Sequence, residues 1–213
     1  MKIQCPKITP SLEKAESLQL CYEEDSYIEG KLFENIVIQQ EELPSLHIDN
    51  CIFRNVMFED CEFENIDLMD VIFENCDLSN LHFTKGSLHR CQFRNCRCMG
   101  MDFSECVIHN TSFHDLKAIY ANLSGSRFHH VLFENCDLSK SGFIQCTYKD
   151  TLYQNCKLTE SEFHNTDLNG IDFSTSDIDG ISLSMEHLKG VIVNPSQAQR
   201  LVQLLGIIIK EEE

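Results

Sequence analysis

The sequence predicts an all-β solenoid in which four five-residue segments complete each coil. The prediction rests on a period of five in the apolar residues, a period of twenty in the aromatic ones, and a polar residue closing each five. From Cys51 to Asn80 the chain reads C-I-F-R-N, V-M-F-E-D, C-E-F-E-N, I-D-L-M-D, V-I-F-E-N, C-D-L-S-N. Each block opens on a small or β-branched residue, places Phe or Leu third and ends in Asn or Asp. A helix repeats its apolar face every 3.6 residues and a flat strand every two. Five is neither, so each unit must bury its apolar face against its neighbours in a stack.

The frame extends well beyond that window. Block centres run from Phe33, Ile38, Leu43 and Ile48 through Phe103, Ile108 and Phe113, then from Leu123 to Leu188. Stepping by twenty gives Phe33, Phe53, Phe73, Phe93, Phe113, Phe133, Tyr153 and Phe173, one aromatic column on one face. The corner after it carries Asn35, Asn55, Asn75, Asn95, Asp115, Asn135 and Asn155, an amide ladder in residues that tolerate tight turns. Burial of each centre contributes roughly 1.5–3 kcal/mol. About eight coils at ~4.8 Å give a rod near ~40 Å long.

Residues 1–27 lack the repeat and are expected to cap an otherwise open strand edge. Within them, Thr9-Pro10-Ser11 predicts a short helix running to Leu20. Residues 28–193 form the repeat domain. Its first coil, Lys31 to Asn50, is irregular at Glu41, Glu42 and Pro44. At Leu116–Tyr120 the centre shrinks to Ala118, stacked on Cys98. Either a bulge turns Ile119 inward, or Met99, Ile119 and Tyr120 make an exposed apolar patch.

Residues 194–213 change character. Asn194-Pro195 is a favoured helix start, Ala198, Leu201, Val202 and Leu205 follow helical spacing, and Gly206 suits the stop. Ile207, Ile208 and Ile209 then read as a short strand before Glu211, Glu212 and Glu213. The segment either plugs the last coil or makes a homodimer through Leu201, Leu204, Leu205, Ile207, Ile208 and Ile209.

Of twelve cysteines, nine (Cys51, Cys61, Cys76, Cys91, Cys96, Cys106, Cys136, Cys146 and Cys156) occupy the small inward slot, and Cys98 replaces a centre. Their spacings are multiples of five rather than a zinc pattern, which favours buried free thiols in a reducing cytoplasm over metal ligands or disulfides. No apolar run approaches the ~20 residues that span a bilayer, and the first residues form no signal peptide. A cytoplasmic protein without membrane contact is expected.

Catalytic patterns are wanting: there is no phosphate-binding glycine loop, zinc-protease signature or nucleophile elbow, and a rod without insertions offers no pocket. The expectation is a non-enzyme without cofactors. His89, His109 and His129 share a column with His130 beside them, read as solvated histidines ahead of a metal site. Hexapeptide acyltransferases also wind β-helices, but with a period of six.

The net charge is −17, and the acids occupy outward slots: Glu59, Asp60, Glu62, Glu64, Asp67, Asp70, Glu74 and Asp77 early, Asp102, Glu105, Glu134 and Asp137 later. A ~40 Å length of duplex DNA carries roughly 24 charges, the same order. The rod therefore either mimics DNA toward a protein with a DNA groove or uses its acids to stay soluble.

The unbroken pentads identify the chain as a member of the pentapeptide-repeat family, over about three quarters of its length. That resemblance implies a right-handed quadrilateral parallel β-helix with the centre and the small residue pointing inward. The opening P-K-I-T-P, the pentads and the ending G-V-I-V-N-P-S-Q-A-Q-R-L-V-Q-L-L-G-I-I-I further resemble the chromosomal Qnr-type proteins of Gram-positive bacteria, the enterococcal Qnr among them, and their mycobacterial relative MfpA. This likeness implies a DNA mimic that dimerises through its C-terminal elements and binds DNA gyrase and topoisomerase IV. Such a protein inhibits the enzyme or protects it from quinolones, without binding nucleic acid itself. Plasmid-type Qnr proteins carry two loops that interrupt the coils; this frame has no such insertion. The alternative is an acidic scaffold for another protein partner.

Overall fold

The computed structural model describes residues 2–19, 26–204 and 206–210. Every fifth residue from Gly30 to Gly170 has a positive φ, so the chain turns a corner at each block. Asn fills many of these corners because its short amide tolerates the left-handed conformation. At Gly100 the requirement is stricter, since a Cβ there would lie 2.6 Å from Asn80 Oδ1. Four corners close one coil of a right-handed quadrilateral parallel β-helix of about eight turns.

In chain order the elements are β1 (Glu13–Ala15), β2 (Tyr27–Glu29), β3 (Lys31–Glu34), β4 (Val37–Gln39), β5 (His47–Arg54), β6 (Met57–Glu59) and β7 (Asp67–Glu74). They continue as β8 (Ser87–His89), β9 (Gln92–Arg94), β10 (Val107–His114), β11 (Arg127–Glu134), β12 (Thr147–Gln154), β13 (Glu162–Phe163) and β14 (Ser182–Leu183), and end in helix α1 (Pro195–Leu204). Pairing is parallel with a register of twenty: Phe53 opposes Phe73, Phe113 opposes Phe133, and Phe133 opposes Tyr153. The long strands each span two faces, and the other two faces are mostly turns joined by single bridges.

The core is the aromatic column and its flanks. Rings from Phe33 to Tyr153 stack with centroids 4.7–5.0 Å apart, and Phe173 closes the column at 5.4 Å. A second, broken column on another face runs through Phe63, Phe83 and Phe103, then Phe143 and Phe163. The amide ladder is real but interrupted, with side-chain bonds at Asn35–Asn55, Asn75–Asn95 and Asp115–Asn135.

The small slot does more than fit. Cys76, Cys91 and Cys136 each donate their thiol to a carbonyl twenty-three residues back, at 3.3–3.4 Å. Ser126, Ser161 and Thr166 make the same bond through a hydroxyl at 2.6–2.8 Å. All ten cysteines assigned to the interior are buried and free. Burial pushes the thiols of Cys91, Cys106 and Cys146 up to about 12.

The ends differ from expectation. Glu13–Ala15 is not helical but a strand paired with Lys31–Phe33, because the first coil's edge takes any available strand. Residues 4–9 then run along the rod axis over one corner column. The Thr9 N–H bonds Asn50 Oδ1 (2.9 Å), that of Lys7 bonds Asp70 Oδ1 (2.8 Å), and that of Gln4 bonds Asn110 Oδ1 (3.3 Å). At the other end, Asn194 and Gln197 form a reciprocal capping pair. Gln197 also bonds the carbonyls of Phe173 and Ser176, so α1 plugs the last coil. Gly206, with φ 72°, follows the helix, but Ile207–Ile209 pair with no strand among the described residues. Near Ala118 the frame carries no bulge: Ala118 stays buried as the centre, Ile119 is half-buried, and Met99 and Tyr120 are exposed. The patch reading holds there.

Candidate partner-binding surface

A register of twenty stacks like positions into columns, so each acid meets residues twenty places before and after it. This divides the predicted acids into groups. Glu74 bonds Arg54 (2.8 Å), which also holds Glu34 (3.1 Å); Asp67 pairs with His47 (2.9 Å), Glu64 with Lys85 (2.8 Å) and Glu134 with His114 (2.9 Å). Asp77 and Asp137 lie 3.8 Å from Arg97 and Lys157. Exposed pairs of this kind contribute little to stability, about 0–1 kcal/mol. The arginine and lysine partners cancel charge locally, while the two histidines hydrogen-bond their carboxylates.

Asp77, Asp102 and Asp137 have a further role. Each accepts the backbone N–H two residues on, from Ser79, Ser104 and Ser139, closing a turn in a face with little strand. Asp70 departs from expectation altogether. Although its slot points outward, its carboxylate is buried beneath the N-terminal strap and held by Arg90, so it is not offered to a partner.

Glu59, Asp60, Glu62 and Glu105 remain, exposed and without an ion-pair partner among the described residues. The first three gather with Glu42, Asp77 and His82 around a shallow open depression whose floor includes Met57. Two and three coils along the same corner, exposed Met99 and Tyr120 replace the acids, with the Lys140 ammonium 5.6 Å from the Tyr120 ring centre. Of the predicted acids that lack an ion pair among the described residues, three share one corner of the N-terminal half. The alternation of charge at twenty-residue spacing, as in Glu34, Arg54 and Glu74, was the sequence signal for the pairing elsewhere.

The predicted dimer residues also separate. Leu201 is buried against the last coil, whereas Ile207, Ile208 and Ile209 are exposed, Ile208 at 88 %. The side chain of Leu204 and all of Leu205 lie outside the described residues.

The family model described as the pentapeptide repeat region matches residues 66–143 and 126–200. The chain belongs to the pentapeptide-repeat family. A second model, described as the SV2A/B/C luminal domain, matches residues 22–103. Comparison with curated proteins returns no match. Among solved pentapeptide-repeat structures, a trypsin-treated variant of QnrB1, a plasmid-mediated fluoroquinolone resistance protein, is similar at 24 % identity with a TM-score of 0.53, covering 94 % of this chain and 100 % of that one. HetL from the cyanobacterium Nostoc, a pentapeptide-repeat protein involved in heterocyst differentiation regulation, is similar at 13 % identity with a TM-score of 0.40, covering 77 % and 87 %. The QnrB1 likeness establishes a shared fold along the whole rod. No helix among the described residues is long and apolar enough to cross a membrane.

Proposed function

We propose that the chain is a DNA-mimicking protein of the cytoplasm that binds a type II topoisomerase, DNA gyrase and also topoisomerase IV, and thereby inhibits the enzyme or shields it from quinolones. The observation that carries this reading is the cluster of exposed acids Glu42, Glu59, Asp60 and Glu62 on a rod whose register sets Glu42 beside Glu62. A groove built for phosphates recognises regularly spaced negative charge on a body of duplex length. The Qnr-type resemblance supports the choice of enzyme, and the exposed Ile207–Ile209 support a homodimer that would double the rod. We assign no catalytic chemistry or nucleic-acid contact to the chain.

A second reading has its own support. Met57 within the acidic depression, and Met99 and Tyr120 beyond it, give that corner the mixed apolar and acidic character of a contact with some other protein. Gyrase supercoiling, measured with and without a quinolone, tests the first reading. Inhibition of relaxed-plasmid supercoiling, or rescue of the drug-poisoned enzyme, is expected. No effect on either topoisomerase at stoichiometric excess would leave the scaffold reading.

A further inference from the structure

Away from the acidic corner, the strand pairing of β10 with β11 sets His109 directly beside His129, rings stacked at 4.5 Å, with His130 at the adjoining corner. The left-handed backbone of His130 (φ 55°) turns its ring back toward His129, at 4.2 Å between centroids. One ligand nitrogen from each of the three lies within 4.8 Å of the others. Two nitrogens here, His129 Nε2 and His130 Nδ1, are buried and have no hydrogen-bond partner. Buried polar atoms are nearly always partnered, so two unpartnered nitrogens in one cluster offer adjacent ligand positions.

The second nitrogen of His130 completes the pattern. Its Nε2 lies 3.5 Å from the Asp150 carboxylate, one coil on. A carboxylate there favours the Nε2–H tautomer and leaves the Nδ1 lone pair for a metal, the arrangement that orients ligating histidines generally. His109 Nε2 has only a long contact, 3.3 Å to Asn110 Nδ2, which ligation would displace.

We propose that His109, His129 and His130 form a binding site for a borderline transition-metal dication of the Zn²⁺ class, with Asp150 as the positioning residue for His130. Three imidazoles without thiolate suit Zn²⁺, Ni²⁺ or Cu²⁺ rather than Mg²⁺ or Ca²⁺. Tetrahedral Zn–N bonds of about 2.0–2.1 Å bring ligand nitrogens to roughly 3.3 Å, which rotation of half-exposed rings supplies. Lys149, opposite His129 in the sheet, works against a cation there and so becomes part of the test.

The test is calorimetric titration of the full chain with Zn²⁺, alongside the visible spectrum of the Co²⁺ form. One tight equivalent per chain and a tetrahedral Co²⁺ band are expected. His129→Ala and His130→Ala should each weaken binding at least tenfold and abolish the band, Asp150→Asn should weaken it about 10–100-fold, and Lys149→Ala should tighten it. His114→Ala, whose partner is Glu134, should leave it unchanged. Far-ultraviolet circular dichroism identifies any variant that misfolds, and for such a position His→Gln replaces His→Ala. Absence of tight binding in the wild type, or equal affinity in the His129→Ala/His130→Ala double variant, would overturn the proposal.

Discussion

Arg90 grips Asp70 through two hydrogen bonds, Nε to Oδ1 at 2.7 Å and Nη2 to Oδ2 at 2.6 Å, one coil apart on a single corner. The same Oδ1 accepts the Lys7 N–H, so the pair anchors the N-terminal strap to the rod. Burial alone would raise the carboxyl; the guanidinium and the backbone N–H outweigh it and hold Asp70 below the usual carboxylate range.

Replacing Asp70 with Ala leaves a guanidinium unpaired and a strap unanchored. The expected cost is about 3 kcal/mol, read from denaturant unfolding, with faster tryptic cleavage after Lys7. Because the folded pKa is depressed, the stabilisation is present above the ordinary Asp value near 4 and is lost as pH falls through the lower folded value. A melting temperature that falls no further in wild type than in Asp70→Ala between pH 5 and pH 2 would contradict this.

That anchor also marks what a periodic reading could reach. Centres, small slots and the Phe33–Phe173 column were legible because one frame holds through every coil, and a wrong register would have buried Asn and Glu together. The strap was not, because its bonds join residues up to 106 positions apart and follow no period. Thr9-Pro10 is a helix-start pattern in local terms, but the exposed edge of β3 offered Glu13–Ala15 a strand partner, and tertiary pairing overrode it. Ile207–Ile209 have the β propensity of a strand but lie beyond the helix that plugs the last coil and pair with no described strand. At the candidate site, outward placement was legible for most acids. Neutralisation was not, since it depends on which residue lies twenty places away.

The hydroxyl in the small slot is a second point of stability. Ser126 Oγ donates to the Phe103 carbonyl (2.7 Å) and accepts from the Cys106 N–H (2.9 Å), with no exposure to water. Ser126→Ala should cost about 2 kcal/mol by stranding both backbone groups. Ser126→Cys should cost distinctly less, since cysteine already makes the carbonyl bond at nine equivalent slots. Equal losses in chemical denaturation would mean that volume rather than hydrogen bonding selects this slot.

For the C-terminal segment, structure separates plug from contact. Leu201→Asp should loosen the last coil and lower the melting temperature, because Leu201 is buried there. Ile208→Asp should leave the fold intact and convert the proposed dimer to a monomer in sedimentation. A wild-type monomer, or an Ile208→Asp dimer of unchanged affinity, would remove Ile208 from the interface.

The proposed mimicry makes its most specific prediction about salt. Glu59→Gln, Asp60→Asn and Glu62→Gln together remove charge that no neighbour cancels, so gyrase inhibition should fall while the β-sheet spectrum persists. Glu74→Gln and Glu134→Gln, whose carboxylates are already satisfied by Arg54 and His114, should have far smaller effects. Binding to gyrase should weaken steeply as ionic strength rises, compete with duplex DNA, and show a shallower salt slope in the triple variant. If apolar contact through Met57, Met99 and Tyr120 carries the interaction instead, Tyr120→Ser should weaken binding at every salt concentration, leaving the slope unchanged. Affinity measured across low and high salt for wild type, triple variant and Tyr120→Ser therefore separates the two readings. A salt-independent wild-type affinity would end the mimicry proposal, because a partner evolved for phosphates cannot bind through charge and ignore screening.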